Sequence, residues 1–204
     1  TVVFVNLGMD NDNYTDATPV TKFSKDMLVN KHYVLSEDFV PDDLVEFDEK
    51  YRNDYVQSGN REAVVAFGQM YEAAAKEGLG LVINSSYRSY QDQKELCDYY
   101  RQIYGDNYVN QYVAFPGYSE HQTGLSFDIG SKTSNVFKKS QEYQWMLKNA
   151  YKYGFILRFT TKNSSYTGFR SEPWHYRYVG KEIAQYIYDN DISYEEYYVQ
   201  FLND

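Results

Sequence analysis

The sequence is short of cysteine, of long apolar runs and of positive charge. Its 204 residues include a single cysteine, Cys97, which excludes an internal disulfide and a zinc site built from cysteines. No apolar run approaches the roughly 20 residues that a membrane-spanning helix requires. The formal net charge is -9. Because no basic stripe is present to neutralise phosphates, the composition argues against binding to a nucleic acid.

Apolar side chains are plentiful enough for a packed core. They make up 43% of the residues, and aromatic side chains make up 19%. We predict one domain over residues 1–204, in which residues 1–27 form an N-terminal arm. Residues 1–5 lack the basic region of a signal peptide, so we expect any export or anchoring segment to lie upstream.

The chain alternates between helical and extended patterns without a regular repeat. Apolar residues at helical spacing predict a helix over residues 61–76, capped by Asn60. A buried strand follows at residues 79–84, and helices capped by Ser89 and Ser140 come after it. Further predicted elements are strands at 2–7, 28–35 and 155–159, two short C-terminal helices, and polar loops at 105–115 and 160–167. This irregular mixture predicts an α+β fold.

Two reactive side chains are better explained by structural roles. Cys97 falls inside the second predicted helix, where we interpret it as a small buried apolar residue and not as a nucleophile. His32 lies in the predicted strand over residues 28–35. No other donor stands near it at ligand spacing, so we interpret it as a structural histidine.

Residues 119–128 have the pattern of a metal-binding turn that continues into a strand. His121 and Asp128 supply a nitrogen and an oxygen donor, a pair that suits zinc. Gly124 between them permits a sharp bend. The apolar residues 125, 127 and 129 then alternate with polar ones, which puts Asp128 on the face opposite the core.

A second cluster, Glu172-Pro173-Trp174-His175, offers a third ligand and a base. The proline disfavours helical geometry at Glu172, so the segment is predicted to be a turn or an irregular strand. Two histidines and an aspartate would leave a fourth zinc position open for water, as in catalytic sites. Glu172 is the candidate base, and Arg88, at a strand-to-helix turn, is the candidate to hold a developing oxyanion.

Each pattern taken alone has an ordinary explanation. The spacing between His121 and Asp128 arises by chance in many proteins, and Arg88 alone would be a surface or ion-pair arginine. A serine hydrolase is a weaker alternative. The chain has no Gly-x-Ser-x-Gly motif, and Ser119 is too close in sequence to His121 to imply a triad.

Taken together, Ser-x-His-x-x-Gly-x-x-x-Asp and Glu-Pro-Trp-His resemble the zinc carboxypeptidases of the VanY and LdcB type. Those bacterial enzymes remove the C-terminal D-alanine from peptidoglycan stem peptides. The resemblance extends in the same order through residues 28–31, 87–93, 177–180 and 195–197. It implies a small antiparallel sheet flanked by helices, like that of hedgehog-like and lysostaphin-like zinc domains. It also implies zinc ligands at His121, Asp128 and His175, a base at Glu172, an oxyanion stabiliser at Arg88, and substrate contacts at Ser119 and Gln93.

Several positions depart from the pattern of these enzymes. They often have tyrosine and proline where this chain has Phe159 and Thr160, alanine at Ser126, and tyrosine at Ser171. None of these changes removes a ligand or the base. The missing hydroxyl at Phe159 bears on how the substrate terminus is held.

The resemblance implies a monomeric enzyme outside the cell or in the bacterial cell envelope, with no membrane contact in this chain. Its partner would be a peptidoglycan stem peptide. The resemblance does not decide whether the enzyme cleaves a pentapeptide (D,D) or a tetrapeptide (L,D). It also does not decide whether the enzyme serves wall remodelling or glycopeptide resistance. A phage-type wall endopeptidase is an alternative, although such enzymes more often carry aspartate at the place of Glu172. A zinc module without catalysis is another, against which the intact Glu172 and Arg88 argue.

Overall fold

The computed structural model describes residues 16–203, so the strand predicted at residues 2–7 lies outside the described part. In chain order the strands are β1 (Thr18–Val20), β2 (Tyr33–Leu35), β3 (Leu44–Glu46), β4 (Ser58–Asn60), β5 (Leu81–Ser85), β6 (Ser126–Ser131), β7 (Phe155–Leu157) and β8 (His175–Tyr178). The helices are α1 (Arg61–Lys76), α2 (Tyr90–Tyr104), α3 (Asp106–Tyr112), α4 (Gln141–Asn149), α5 (Ser164–Thr167), α6 (Lys181–Asn190) and α7 (Tyr194–Phe201). A short 3-10 helix, Glu120–Thr123, precedes β6.

A four-stranded antiparallel sheet in the order β5-β6-β8-β7 forms the centre. The register of β6 and β8 sets Ser126 opposite Arg177, Phe127 opposite Tyr176 and Asp128 opposite His175. Because successive side chains of a strand point to opposite faces, one face of this strand pair is polar and the other apolar. The register therefore brings Asp128 and His175 side by side on the polar face.

The apolar face of the sheet is covered by helices α1 and α4. Phe67 of α1 and Met146 of α4 are buried in one cluster with Phe127 of β6. Helix α1 starts after Asn60, whose side chain accepts a hydrogen bond from the Glu62 backbone N–H. This packing of a small antiparallel sheet against flanking helices confirms the predicted α+β class.

Some predicted elements differ from the structure. The loop predicted over residues 105–115 contains α3, and the loop over 160–167 contains the single turn α5. Helix α3 buries only Val109, so it shows no apolar stripe that would mark a helix in the sequence. Of the strand predicted over residues 28–35, only β2 pairs as a strand, because a bridge between Asn30 and Tyr33 turns the chain there.

The described part of the N-terminal segment packs against the rest of the chain. Strand β1 pairs in parallel with β2, and Met27 is buried with Val29 and Leu35. Arg177 in β8 donates hydrogen bonds to the backbone carbonyls of Lys25 and Met27. Within residues 16–203, no helix has both the length and the apolar content needed to cross a membrane.

Candidate metal centre

The 3-10 helix before β6 fixes the position of His121. Ser119 caps it by accepting the His121 backbone N–H at 3.3 Å, and Gly124 ends it in the left-handed conformation with φ 68°. The Nδ1 atom of His121 lies 2.7 Å from the Ser86 carbonyl oxygen. Since a carbonyl only accepts, Nδ1 carries the proton, and the lone pair of Nε2 is directed at Asp128 Oδ1, 3.4 Å away.

The turn before β8 fixes His175 in a complementary way. The His175 backbone N–H donates to the Glu172 carbonyl, which closes the turn around Pro173. The ring presents Nδ1 to Asp128 Oδ1 at 3.2 Å and to Glu172 Oε2 at 3.7 Å. Its Nε2 lies 3.2 Å from Glu120 Oε2. The Nδ1 atom is therefore the nitrogen that faces the centre.

Three of the predicted site residues come together as a group of donors. One donor atom each from His121, Asp128 and His175 lies within 4.8 Å of the others. The Oδ1 atom of Asp128 is buried and accepts no hydrogen bond from the residues described. A buried carboxylate oxygen without a partner is costly, and a cation between it and two imidazole nitrogens would remove that cost. The donor set of two nitrogens and one oxygen fits a zinc ion with a fourth position open.

The electrostatics of the group favour positive charge at its centre. Burial alone would raise the pKa of Asp128, but His121 and His175 hold it well below its usual range. Burial opposes a charged His175, yet Asp128 and Glu120 raise its pKa to about 9. Burial lowers the pKa of His121, which keeps that imidazole neutral and available as a ligand.

Glu172 lies beside the three donors and not among them. Its side chain is 29% exposed, whereas that of His175 is 4% exposed. Burial of the carboxyl raises the pKa of Glu172 above its ordinary value. The side chain is therefore at the open edge of the centre, where it can exchange a proton.

Arg88 is held rigidly at the turn between β5 and α2. Its Nη1 donates to Gln93 Oε1 at 2.5 Å and its Nη2 to Ser85 Oγ at 3.0 Å. Its backbone N–H donates to the His121 carbonyl at 3.1 Å, which ties this turn to the 3-10 helix. The positive charge of Arg88 adds to the effect of burial in lowering the pKa of His121, and it offsets part of the burial-driven rise in the pKa of Glu172. The guanidinium therefore acts on the same centre.

The other two predicted substrate contacts, Gln93 and Ser119, already make hydrogen bonds. Gln93 accepts from Arg88 and donates from Nε2 to the Ala114 carbonyl at 2.6 Å. Contact between Gln93 and a substrate would thus use its second Nε2–H or the second lone pair of Oε1. Phe159, one of the departures from the family pattern, packs its ring 4.8 Å from that of His175. Its aromatic body therefore supports a ligand even though it lacks a hydroxyl.

A buried ionic network behind the centre was not predicted from the sequence. Its members are Glu120, Arg158, Arg177 and Glu195, all with side chains at most 4% exposed. Charged residues are rarely buried, and nothing in local spacing marks these four as exceptions. The one available signal was Glu120 itself, a charge inside a stretch whose neighbours were predicted to be ligands and core.

Comparison with known proteins finds close similarity over most of the chain. The family described as VanY, D-alanyl-D-alanine carboxypeptidase, matches residues 57–181. The putative carboxypeptidase YodJ of Bacillus subtilis is 42% identical over 182 residues, which cover 84% of this chain and 66% of that protein. The chain thus spans just under two thirds of the length of this curated relative.

Two solved structures show the same fold. The LdcB LD-carboxypeptidase superposes with a TM-score of 0.78 at 41% identity, covering 84% of each chain. A mutant of the vancomycin resistance D,D-pentapeptidase VanY, in complex with Zn(II), superposes with a TM-score of 0.71 at 30% identity. That match covers 85% of this chain and 98% of the other.

Proposed function

Because the chain belongs to the VanY family of D-alanyl-D-alanine carboxypeptidases, we propose that it is a zinc-dependent carboxypeptidase that removes the C-terminal D-alanine from peptidoglycan stem peptides. The observation that carries the proposal is the donor group of His121, Asp128 and His175 around an unpaired buried oxygen, with Glu172 at its edge. We further propose a monomer in the bacterial cell envelope, where its substrate is found.

Zinc would be held by His121 Nε2, a carboxylate oxygen of Asp128 and His175 Nδ1. When bound, zinc lowers the pKa of a coordinated water to about 7 and polarises the carbonyl to be attacked. Glu172 is placed to accept a proton at Oε2 and to pass it to the amine of the departing D-alanine. Its raised pKa brings the carboxyl closer to neutral pH, where such a proton exchange is most efficient.

Arg88 would stabilise the oxyanion that develops on the scissile carbonyl. Its two described side-chain hydrogen bonds, to Gln93 and Ser85, fix the plane of the guanidinium and leave other N–H groups for the substrate. A donor fixed before the reaction costs no reorganisation when charge appears. Ser119 and Gln93 are the proposed contacts for the terminal D-residue.

We propose that the tetrapeptide is the better substrate, which would make the enzyme an L,D-carboxypeptidase. The support is the identity to the LdcB LD-carboxypeptidase, 41%, against 30% to the D,D-pentapeptidase VanY. The ligands and the base do not distinguish the two reactions. Only the pocket that receives the residue before the scissile bond differs in the stereochemistry it must accept.

Mass spectrometry of defined muropeptides tests the function. We expect the zinc-loaded protein to release one alanine from the tetrapeptide faster than from the pentapeptide, with the release stopped by a chelator and restored by zinc. A faster reaction of the pentapeptide would contradict the L,D assignment only. Cleavage of a cross-linked dimer without alanine release would indicate an endopeptidase. No release from either peptide by protein that binds zinc would contradict the carboxypeptidase proposal.

A further inference from the structure

The ring of His175 contacts a second carboxylate on the side away from Asp128. Its Nε2 lies 3.2 Å from Oε2 of Glu120, whose side chain is 2% exposed. The two oxygens of Glu120 have different partners. Oε1 accepts from Arg158 Nε at 2.8 Å and from Arg177 Nη1 at 3.1 Å, whereas Oε2 accepts from Ser126 Oγ at 3.0 Å and faces His175.

We propose that Glu120 is a positioning residue for the metal centre, which accepts the Nε2 proton of His175 and thereby directs the Nδ1 lone pair at the metal. The inference rests on the proposed zinc site. A carboxylate that accepts the second N–H of a ligating histidine fixes its tautomer and its ring orientation and makes the ligand more basic. Loss of such a partner typically costs about 10- to 100-fold in metal affinity.

The two arginines make a charged Glu120 possible in this buried position. Arg158 and Arg177 are fully buried, and Glu195 pairs with Arg158 through distances of 2.9 and 2.5 Å. Two cations and two anions thus balance within the network. Because both arginines bind Oε1, they also determine which oxygen is left for His175.

Replacement of Glu120 by glutamine would reverse the polarity at His175. Arginines only donate, so the amide oxygen of Gln would turn toward Arg158 and Arg177. Its NH2 group would then face Nε2 of His175, which could no longer carry a proton there. The proton would move to Nδ1, the atom required for the metal. The substitution keeps the size of the side chain but selects the tautomer that cannot bind zinc.

Glu195 provides a matched control within the same network. It is a buried carboxylate that pairs with Arg158 and accepts from Asn30 Nδ2 at 3.1 Å. Its described contacts do not include His175. Glu195→Gln therefore removes one negative charge from the same arginine cluster while the contact between Glu120 and His175 stays intact.

The test measures zinc affinity of wild type, Glu120→Gln and Glu195→Gln by competition with a chelator of known affinity, together with thermal unfolding of the metal-free proteins. We expect both variants to lose stability, and only Glu120→Gln to lose about 10- to 100-fold in zinc affinity. The absorption spectrum of the Co(II)-substituted protein should likewise change only in Glu120→Gln. If that variant does not fold, Glu120→Asp keeps the charge but shortens the reach to His175, and the same loss of affinity is expected.

Equal losses of zinc affinity in the Glu120 and Glu195 variants would overturn the inference, because the effect would then come from the stability of the network alone. Unchanged affinity in a folded Glu120 variant would overturn it too. Tight zinc binding by wild type without alanine release would contradict the proposed function and would leave the role of Glu120 standing.

Discussion

Among the side chains around the metal centre, Glu172 combines a carboxylate with access to solvent. Its exposure of 29% exceeds the 19% of Asp128 and the 2% of Glu120. We expect Glu172→Gln to keep zinc affinity and to lower turnover of the muropeptide by about 100- to 10,000-fold, because the amide cannot accept the proton. Turnover by mass spectrometry and zinc content of the purified variant provide the measurement.

Asp128→Asn is the control for this prediction, because it changes a carboxylate that faces both histidines. It should lose zinc together with activity, since Asp128 Oδ1 lies within 3.4 Å of a nitrogen of each histidine. Zinc loss in Glu172→Gln as well would mean that Glu172 is a ligand and not the base.

The donors of the centre were predictable because their motifs are local. His121 and Asp128 belong to one turn and strand, and Glu172 and His175 to another turn. The buried ionic network that holds these donors in place was not predictable in the same way. Arg158 and Arg177 lie 38 and 57 positions from Glu120 in sequence, so their burial together depends on how the sheet and the C-terminal helices assemble.

At the scale of elements, the 3-10 helix before β6 depends on its terminal glycine. Gly124 has φ 68°, a conformation that costs a residue with a side chain about 1–2 kcal/mol. A Cβ at this position would also lie 3.0 Å from Leu44 Cδ2 and 3.2 Å from the Asn60 backbone nitrogen. Because that nitrogen donates to the Gly124 carbonyl, it has little freedom to move away. We therefore expect Gly124→Ala to lower the free energy of unfolding by more than the conformational cost alone.

Gly78 allows the two contributions to be separated. Its φ is 79°, and a Cβ there would meet no atom within 4 Å. Gly78→Ala should therefore cost only the conformational term, about 1–2 kcal/mol. Denaturant unfolding of both variants measures the difference. A Gly124→Ala variant no less stable than Gly78→Ala would show that the turn accommodates the extra carbon.

Elements with capped ends and an apolar stripe were predicted closely. Helix α1 was predicted over the residues it occupies, and the Ser89 and Ser140 caps start α2 and α4 as expected. Helix α3 lacked both signals, since Gly105 provides no side-chain cap and little of the helix is buried. Its structure follows from contact with α2, which a local pattern cannot show.

At the scale of the whole molecule, the metal centre is connected to both ends of the described chain. Arg177, which holds Glu120, also donates from Nη2 to the carbonyls of Lys25 and Met27 at 3.1 and 2.7 Å. Tyr194 of α7 donates from its hydroxyl to the Asp26 carbonyl at 2.6 Å. Residues 25–27 thus supply acceptors to the buried guanidinium of Arg177, which lies two residues after the proposed zinc ligand His175. Truncation therefore tests most directly whether residues 1–27 form an arm of the single predicted domain.

Two truncations distinguish an arm from a structural part of the domain. Removal of residues 1–15 gives the reference variant, in which every contact described for residues 16–27 is still present. Removal of residues 1–27 leaves Arg177 Nη2 buried without its two carbonyl acceptors and exposes the apolar residues that pack on Met27. Arg177 keeps its ion pair with Glu120, but a buried charged donor without its acceptors costs about 1–3 kcal/mol or more, so the longer truncation should unfold at a lower denaturant concentration than the reference variant. The zinc affinity of the longer truncation should fall as well, because Arg177 also holds Glu120. Equal stability of the two truncations would mean that water replaces both carbonyls at Arg177, and that residues 16–27 are dispensable for the centre.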